Sequence, residues 1–208
     1  MQTPADEADS RRNQILEAAA GVFLRYGYAR TTMNDIASAV GCSRTLLYVS
    51  FANKEAVFEA MVLRASAQAF AAIRDALPSI GSLEARLMFV CEEWMAKRYD
   101  LLKAYPDAKD LFDLSFSAVK KMYVEFQDLL FELLNEANPS AGLSCTTREL
   151  ALCITYALRG FKEMSFDSDE FRRLIRIQVR LVVCAVARPT QRRADRRKAV
   201  GQQDPRLR

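Results

Sequence analysis

Three features of the 208-residue chain predict an all-α fold. Apolar residues recur at spacings of three and four, the two-residue alternation of half-buried strands is nearly absent, and helix start and stop signals bracket the periodic stretches. Half of the residues are hydrophobic, which supplies ample core for a globular chain.

The first helix is predicted from Asp9 or Ser10, either of which can cap it, and should bury Ile15, Ala18 or Ala19, Val22, Phe23 and Tyr26 on one stripe before Gly27 ends it. Thr32, with Asp35 three residues on, has the form of a capping box and opens a second helix whose apolar side is Met33, Ile36, Ala37 and Val40. Gly41 supplies the left-handed residue that follows many helix ends, and Ser43 then caps a short third helix, SRTLLYVSF. Two short helices about a glycine turn, set on a longer first helix, are the pattern of a helix-turn-helix unit.

Asn53 caps a long fourth helix carrying Val57, Phe58, Met61, Val62 and Ala65, which runs to about Leu77 before Pro78 and Gly81 break the chain. Four more helical segments are predicted: 82–104, 107–137 with a break near 115–117, 147–165 and 168–187. Thr146 with Glu149 forms a second capping box. Asp167 with Glu170, flanked by Phe166 and Phe171, combines a cap with a hydrophobic staple.

Composition excludes much chemistry. The chain has no histidine, so a His-based triad, an imidazole acid or base and a His-ligated zinc are ruled out. Its five cysteines, at 42, 91, 145, 153 and 184, show no Cys-x-x-Cys spacing and read as thiols of a reducing cytosol, with no metal site and no cofactor implied. The longest apolar run, Leu181 to Ala187, falls far short of a membrane span, and the acidic start lacks the features of a signal peptide. A cytoplasmic protein with no membrane partner is expected.

The net charge of +4 is unevenly distributed. Residues 1–9 carry −3, 10–54 carry +4, 55–187 carry −3 and 188–208 carry +6. A basic N-terminal block and a basic tail on a mildly acidic body suggest that one end meets an anion while the body meets something else.

Residues 31–58 read TTMNDIASAVGCSRTLLYVSFANKEAVF. The order TT..DIA followed by G.S...LY..F..KE, with each spacing intact, resembles the DNA-binding domain of the TetR (tetracycline-repressor-like) family of bacterial one-component transcription regulators. The resemblance covers residues 11–58 or so; beyond about residue 65 it extends only to length and helical layout. It implies a helix-turn-helix DNA-binding domain over 9–55, a larger helical effector-binding and dimerisation domain over 56–187, and a basic, disordered tail over 188–208. It also implies a non-enzymatic regulator, most commonly a repressor, that binds a palindromic double-stranded DNA operator as a homodimer and is released by a small-molecule inducer.

Physical chemistry assigns roles within the motif. A short helix with Ser43, Arg44, Thr45 and Tyr48 on one side, held by Leu46, Leu47 and Phe51, fits the roughly 12 Å major groove of B-DNA. The planar fork of Arg44 suits guanine O6 and N7, and Thr45 suits a thymine methyl or a base edge. Tyr48 and Ser50 can donate to phosphates, as can Thr32 and Asn34 at a helix start where the dipole favours an anion. Tyr48 in an isolated helix would read instead as a core aromatic, and Thr32 and Ser43 double as caps. Lys54 matches a family phosphate contact. Thr45 stands where the family often has a small residue and Leu46 where it often has a polar one, which leaves the base preference open.

The resemblance places dimerisation on 147–165 and 168–187, where Gly160 suits close helix approach and Cys153 and Cys184 read as core. It places the inducer pocket in the aromatic-rich stretch 82–134, with Trp94, Arg98, Phe112, Tyr123 and Phe126 as candidate ligand contacts and a partly apolar effector implied; the fourth helix would be the lever to the reading heads. Arg98 shares a helical stripe with Leu87, Cys91, Trp94 and Leu101, where a charge needs a partner, a ligand or an exit to water. Two other readings stand beside this one. Cys42 in the turn could report oxidation, against a plain reading as a small hydrophobe. A ligand-binding protein or enzyme with a vestigial helix-turn-helix could use Glu92, Glu93, Asp110 and Asp113, against a plain reading of these carboxylates as a solvated face.

Overall fold

The computed structural model describes residues 4–137 and 145–187. The basic stretch 188–208, expected to be disordered, lies outside them. Among the described residues there are nine α-helices and no strand: α1 (Pro4–Arg30), α2 (Met33–Val40), α3 (Arg44–Ser50), α4 (Lys54–Ala76), α5 (Leu83–Cys91), α6 (Lys97–Ala104), α7 (Ser117–Glu136), α8 (Thr147–Met164) and α9 (Ser168–Ala187). A π-helical turn, Glu92–Ala96, separates α5 from α6, and a 3₁₀ segment, Pro106–Phe112, precedes α7.

Three details of α1 differ from expectation. It begins at Pro4, where Asp6 and Glu7 favour the first turn through the helix dipole, so Asp9 and Ser10 lie inside it. Its buried stripe is Ile15, Leu16, Ala19, Val22 and Phe23, whereas Tyr26 is exposed and borders an open groove shared with Tyr105. Gly27, at φ 74° and ψ 170°, interrupts the helix rather than ending it, and a last helical turn continues to Arg30.

The described residues form two compact units that interleave in sequence. The first comprises 4–79 and 93–126. Its core holds two aromatic groups. Phe23, Tyr28, Phe58 and Phe116 meet with ring centroids 4.6–6.0 Å apart, and Trp94 stacks on Phe70 at 3.9 Å and on Phe126 at 6.2 Å. Lys54–Ser79 is long and apolar enough to cross a bilayer by composition, with a mean hydropathy of 1.4. Its apolar side is committed to this core through Val57, Phe58, Val62, Phe70 and Ile73, as in the core helix of a globular unit.

The second unit comprises 80–92, 127–137 and 145–187, with α5 and α8 both packed on α9. Leu87, Cys91, Leu158, Phe171, Ile175 and Val179 form its interior. The predicted capping box is present: the Thr146 amide donates to Glu149 at 2.8 Å and the Glu149 amide to Thr146 Oγ1 at 3.1 Å. At the start of α9, Asp167 accepts from the Glu170 amide, and Glu170 in turn accepts from the Phe166 amide. Beside this cap Phe171 is buried, while Phe166 is 87% exposed. Cys153 and Cys184 are also exposed rather than core, since they lie on the outer faces of α8 and α9.

Candidate nucleic-acid interface and effector cavity

Helix α2 is fixed at both ends. Thr32 and Asp35 close the capping box, with the Thr32 amide and hydroxyl donating to Asp35 Oδ2 at 2.8 and 2.7 Å. These bonds hold the Asp35 carboxyl below the usual carboxylate range, the hydroxyl contributing most. Gly41 adopts the left-handed conformation, φ 74° and ψ 30°, and its amide reaches back to Ala37 and Ser38. Ser43 then caps α3 through the Leu46 amide at 3.2 Å. Inward, Leu47 is fully buried and Phe51 nearly so, which pins α3 to its neighbours.

Outward, Ser43, Arg44, Thr45 and Tyr48 are all exposed, and the Arg44 guanidinium lies 5.9 Å from the Tyr48 ring centre. Tyr48 is therefore not a core aromatic. Thr32 and Asn34 are exposed and Ser50 is half-buried. Lys54 is engaged within the chain: its ammonium donates to the Tyr28 carbonyl at 2.7 Å and sits 4.2 Å from the Tyr28 ring centre. Cys42 is half-buried, with its amide bonded to the Ala37 carbonyl at 3.0 Å. Arg12, unremarkable in the sequence, crosses the Phe51 ring at 4.1 Å and donates to the Ser50 carbonyl at 3.0 Å, tying α1 to the end of α3.

A polar clamp holds the other end of α1. Where Gly27 interrupts the helix, the amides of Tyr28 and Ala29 are left facing outward, and the Asp110 carboxylate accepts both, at 2.9 and 2.8 Å. Arg30 pairs with Asp107 at 2.6 Å, and buried Thr31 donates to the Gly27 carbonyl at 2.7 Å. The 3₁₀ segment thus grips the residues that lead directly into α2. Asp110 is part of this clamp and not of a solvated face.

The same segment forms one wall of a cavity of about 480 Å³. Ala20 and Leu24 of α1, Met61 to Ile73 of α4, Leu101 of α6, Leu111 and Phe112 of the 3₁₀ segment and Met122 of α7 supply its apolar surface; Glu93, Lys97 and Arg98 supply its charges. Glu93 and Lys97 pair with each other at 2.5 Å. Arg98 donates to the Trp94 carbonyl at 2.8 Å and its guanidinium carbon sits over the Trp94 ring, 3.2 Å from its centre. Desolvation pushes its guanidinium down to about 9, with nearby Tyr123 acting in the opposite sense, so it remains charged at neutral pH. Of the five candidate ligand contacts, Arg98 and Phe112 line this cavity. Trp94, Tyr123 and Phe126 are buried, and the stacked Trp94 and Phe126 form core behind it.

The sequence carried the caps and the exposed face of α3 but not the clamp or the cavity. Gly27 marked an interruption, yet nothing local pairs residue 27 with residue 110.

A family profile described as bacterial regulatory proteins, tetR family, matches residues 15–61, which run from α1 through α2 and α3 into α4. The HTH-type transcriptional repressor Rv1474c of Mycobacterium tuberculosis is 30% identical over 99 residues, 47% of this chain and 52% of that protein. The chain spans about half or less of the length of the curated relatives it matches, between 26% and 52%. The fold extends further. The fatty acid degradation regulator FadR of Bacillus halodurans superimposes with a TM-score of 0.64 at 19% identity, over 88% of this chain and 96% of that one. FadR of Bacillus subtilis, solved in complex with stearoyl-CoA, gives 0.61 at 16% identity, over 84% and 97%. The matched stretch coincides with the doubly capped α2 and the exposed α3, so residues 15–61 form a domain of the kind found in the tetR family of bacterial regulatory proteins.

Proposed function

We propose that this protein is a ligand-responsive DNA-binding transcription regulator, a repressor that binds a palindromic operator as a homodimer in the cytoplasm and leaves it when a small molecule binds. The observation that carries this reading is the exposure of Arg44, Thr45 and Tyr48 on a helix whose opposite side is anchored by buried Leu47. Residues 9–55 read the DNA, with Arg44 on a base edge, Thr45 beside it, and Thr32, Asn34, Ser43, Tyr48 and Ser50 on phosphates. Lys54 serves first to cap α1; its remaining N–H groups are available to a phosphate.

Residues 56–187 sense the ligand and join the two subunits. Exposed Tyr156, Met164, Phe166, Ile177 and Leu181 on and between α8 and α9 support dimerisation there, since large apolar groups gathered on two adjacent helices mark a docking surface. The cavity behind the 3₁₀ segment is the effector site, and the stearoyl-CoA complex of the Bacillus subtilis FadR supports a ligand with a substantial apolar part. An inducer that favours the DNA-incompetent arrangement weakens operator binding by the same factor that DNA weakens inducer binding.

Selection of operator DNA from a random pool, followed by gel shift, tests this. Arg44→Ala should weaken the selected site by roughly 5- to 100-fold, the ~1–3 kcal/mol of a bidentate base contact, with little change on random DNA. An equal loss on both would reduce Arg44 to a phosphate contact, and failure to select any site would overturn the reading.

A further inference from the structure

Arg98 is the cation in the cavity whose charge is not answered. Among the described residues no carboxylate lies within ion-pair distance of it, and its one hydrogen bond within the chain goes to the Trp94 carbonyl. The other two charges at the cavity, Glu93 and Lys97, neutralise each other. The cavity therefore carries a net positive charge against an otherwise apolar wall. Burying an uncompensated cation is costly unless a partner arrives, and a guanidinium with free N–H groups in a fork is matched by the two oxygens of a carboxylate.

The backbone reinforces that reading. The π turn at Glu92–Ala96 inserts a residue into the helical repeat just before Lys97, and such turns frequently mark functional sites. Trp94, within it, is fully buried and leaves its indole N–H without a hydrogen-bond partner, while its ring serves as the platform on which Arg98 lies. The ring contact and the bond to the Trp94 carbonyl together hold the guanidinium in place before any ligand binds. Met61 and Met122, which also line the cavity, give the apolar part of a ligand adaptable walls, and a volume of about 480 Å³ lies within the ~300–1,000 Å³ of small-molecule sites.

From this geometry we infer that the cavity binds an apolar molecule carrying a single carboxylate, with the carboxylate on Arg98 and the apolar part between α4 and the 3₁₀ segment. This rests on the proposal that the cavity is the effector site, but it can be tested without DNA. The chain has one tryptophan, Trp94, directly under the guanidinium, so its fluorescence reports the site.

The full-length protein is titrated with decanoate and with 1-decanol, the same chain without the charge. Decanoate should change Trp94 emission saturably and bind at least about tenfold more tightly than decanol, the size of one charge-assisted hydrogen bond. Arg98→Met should bring the two ligands within about twofold of each other, and Arg98→Lys should keep the order with a smaller ratio. Equal binding of decanoate and decanol to the wild type, no saturable change with either, or a preference that survives Arg98→Met would overturn the inference. The wild-type comparison decides the matter even if a variant fails to fold. Operator binding is followed by gel shift on the same preparation. Carboxylate-selective binding that leaves the operator complex intact upholds the ligand class and removes the inducer role, whereas release of the operator by decanol as readily as by decanoate overturns the ligand class alone.

Discussion

Gly27 and Gly41 have the same φ, 74°, and follow helical stretches of the same helix-turn-helix unit, yet they are glycine for different reasons. At Gly41 ψ is 30°, the left-handed region that asparagine also tolerates, and a Cβ added there would meet nothing within 4 Å. At Gly27 ψ is 170°, a region essentially confined to glycine, and an added Cβ would press on the Asp107 carbonyl oxygen and stand 2.9 Å from Asp110 Oδ1. One glycine ends a helix. The other interrupts a helix and admits a partner from eighty residues away, so its requirement is tertiary as well as local.

The largest effect that would test this contrast is that of Gly27→Ala. It combines a disallowed backbone with a collision against backbone, and should cost about 3 kcal/mol or more in thermal or urea unfolding. Gly41→Ala should cost only ~1–2 kcal/mol, the penalty of a left-handed alanine, and Gly41→Asn less still. Equal costs for the two alanine variants would break the comparison.

Asp110→Ala comes next. It strips two charge-assisted bonds from the Tyr28 and Ala29 amides, at a cost of about 2 kcal/mol. Because Gly27 and Asp110 touch, the double variant Gly27→Ala with Asp110→Ala should fall short of the sum of its parts by ~1 kcal/mol, whereas Gly41→Ala with Asp110→Ala should be additive. Additivity in the first pair would mean that the glycine and the carboxylate act separately.

This difference also marks what could be read in the chain. Thr32, Asp35, Gly41 and Ser43 lie within a dozen residues, and each satisfies a backbone group at a fixed short offset, so the local pattern suffices to place α2 and α3. The all-helical class and most helix bounds follow from the same short-range rules. Asp110 was invisible because a carboxylate in a stretch such as PDAKD looks like any solvated acid until the fold brings it to the interrupted helix. Arg98 stood halfway: its place on an apolar stripe signalled a conflict, but the stack on Trp94 and the absence of an acid partner among the described residues are tertiary facts. Tyr26, Cys153 and Cys184 failed in the opposite direction, since periodicity identifies an apolar side but not how far its covering extends.

The smallest effect separates the two ends of α2 itself. Its start depends on an ionised Asp35 and its end on Gly41, which has no proton to gain. Bonding to Thr32 makes the Asp35 carboxyl more acidic in the folded state than in the unfolded one. The stabilisation is therefore fully present above the unfolded pKa and disappears as pH falls through the lower, folded value. Melting temperatures measured from neutral pH downward should show a small deficit for Asp35→Asn that fades in strong acid. Over the same range the deficit of Gly41→Ala should stay constant for as long as unfolding remains two-state. A Gly41→Ala deficit that fades together with that of Asp35→Asn would mean that acid melts α2 as a whole, so that its two caps are not independent and the glycine's role is no longer a purely local one.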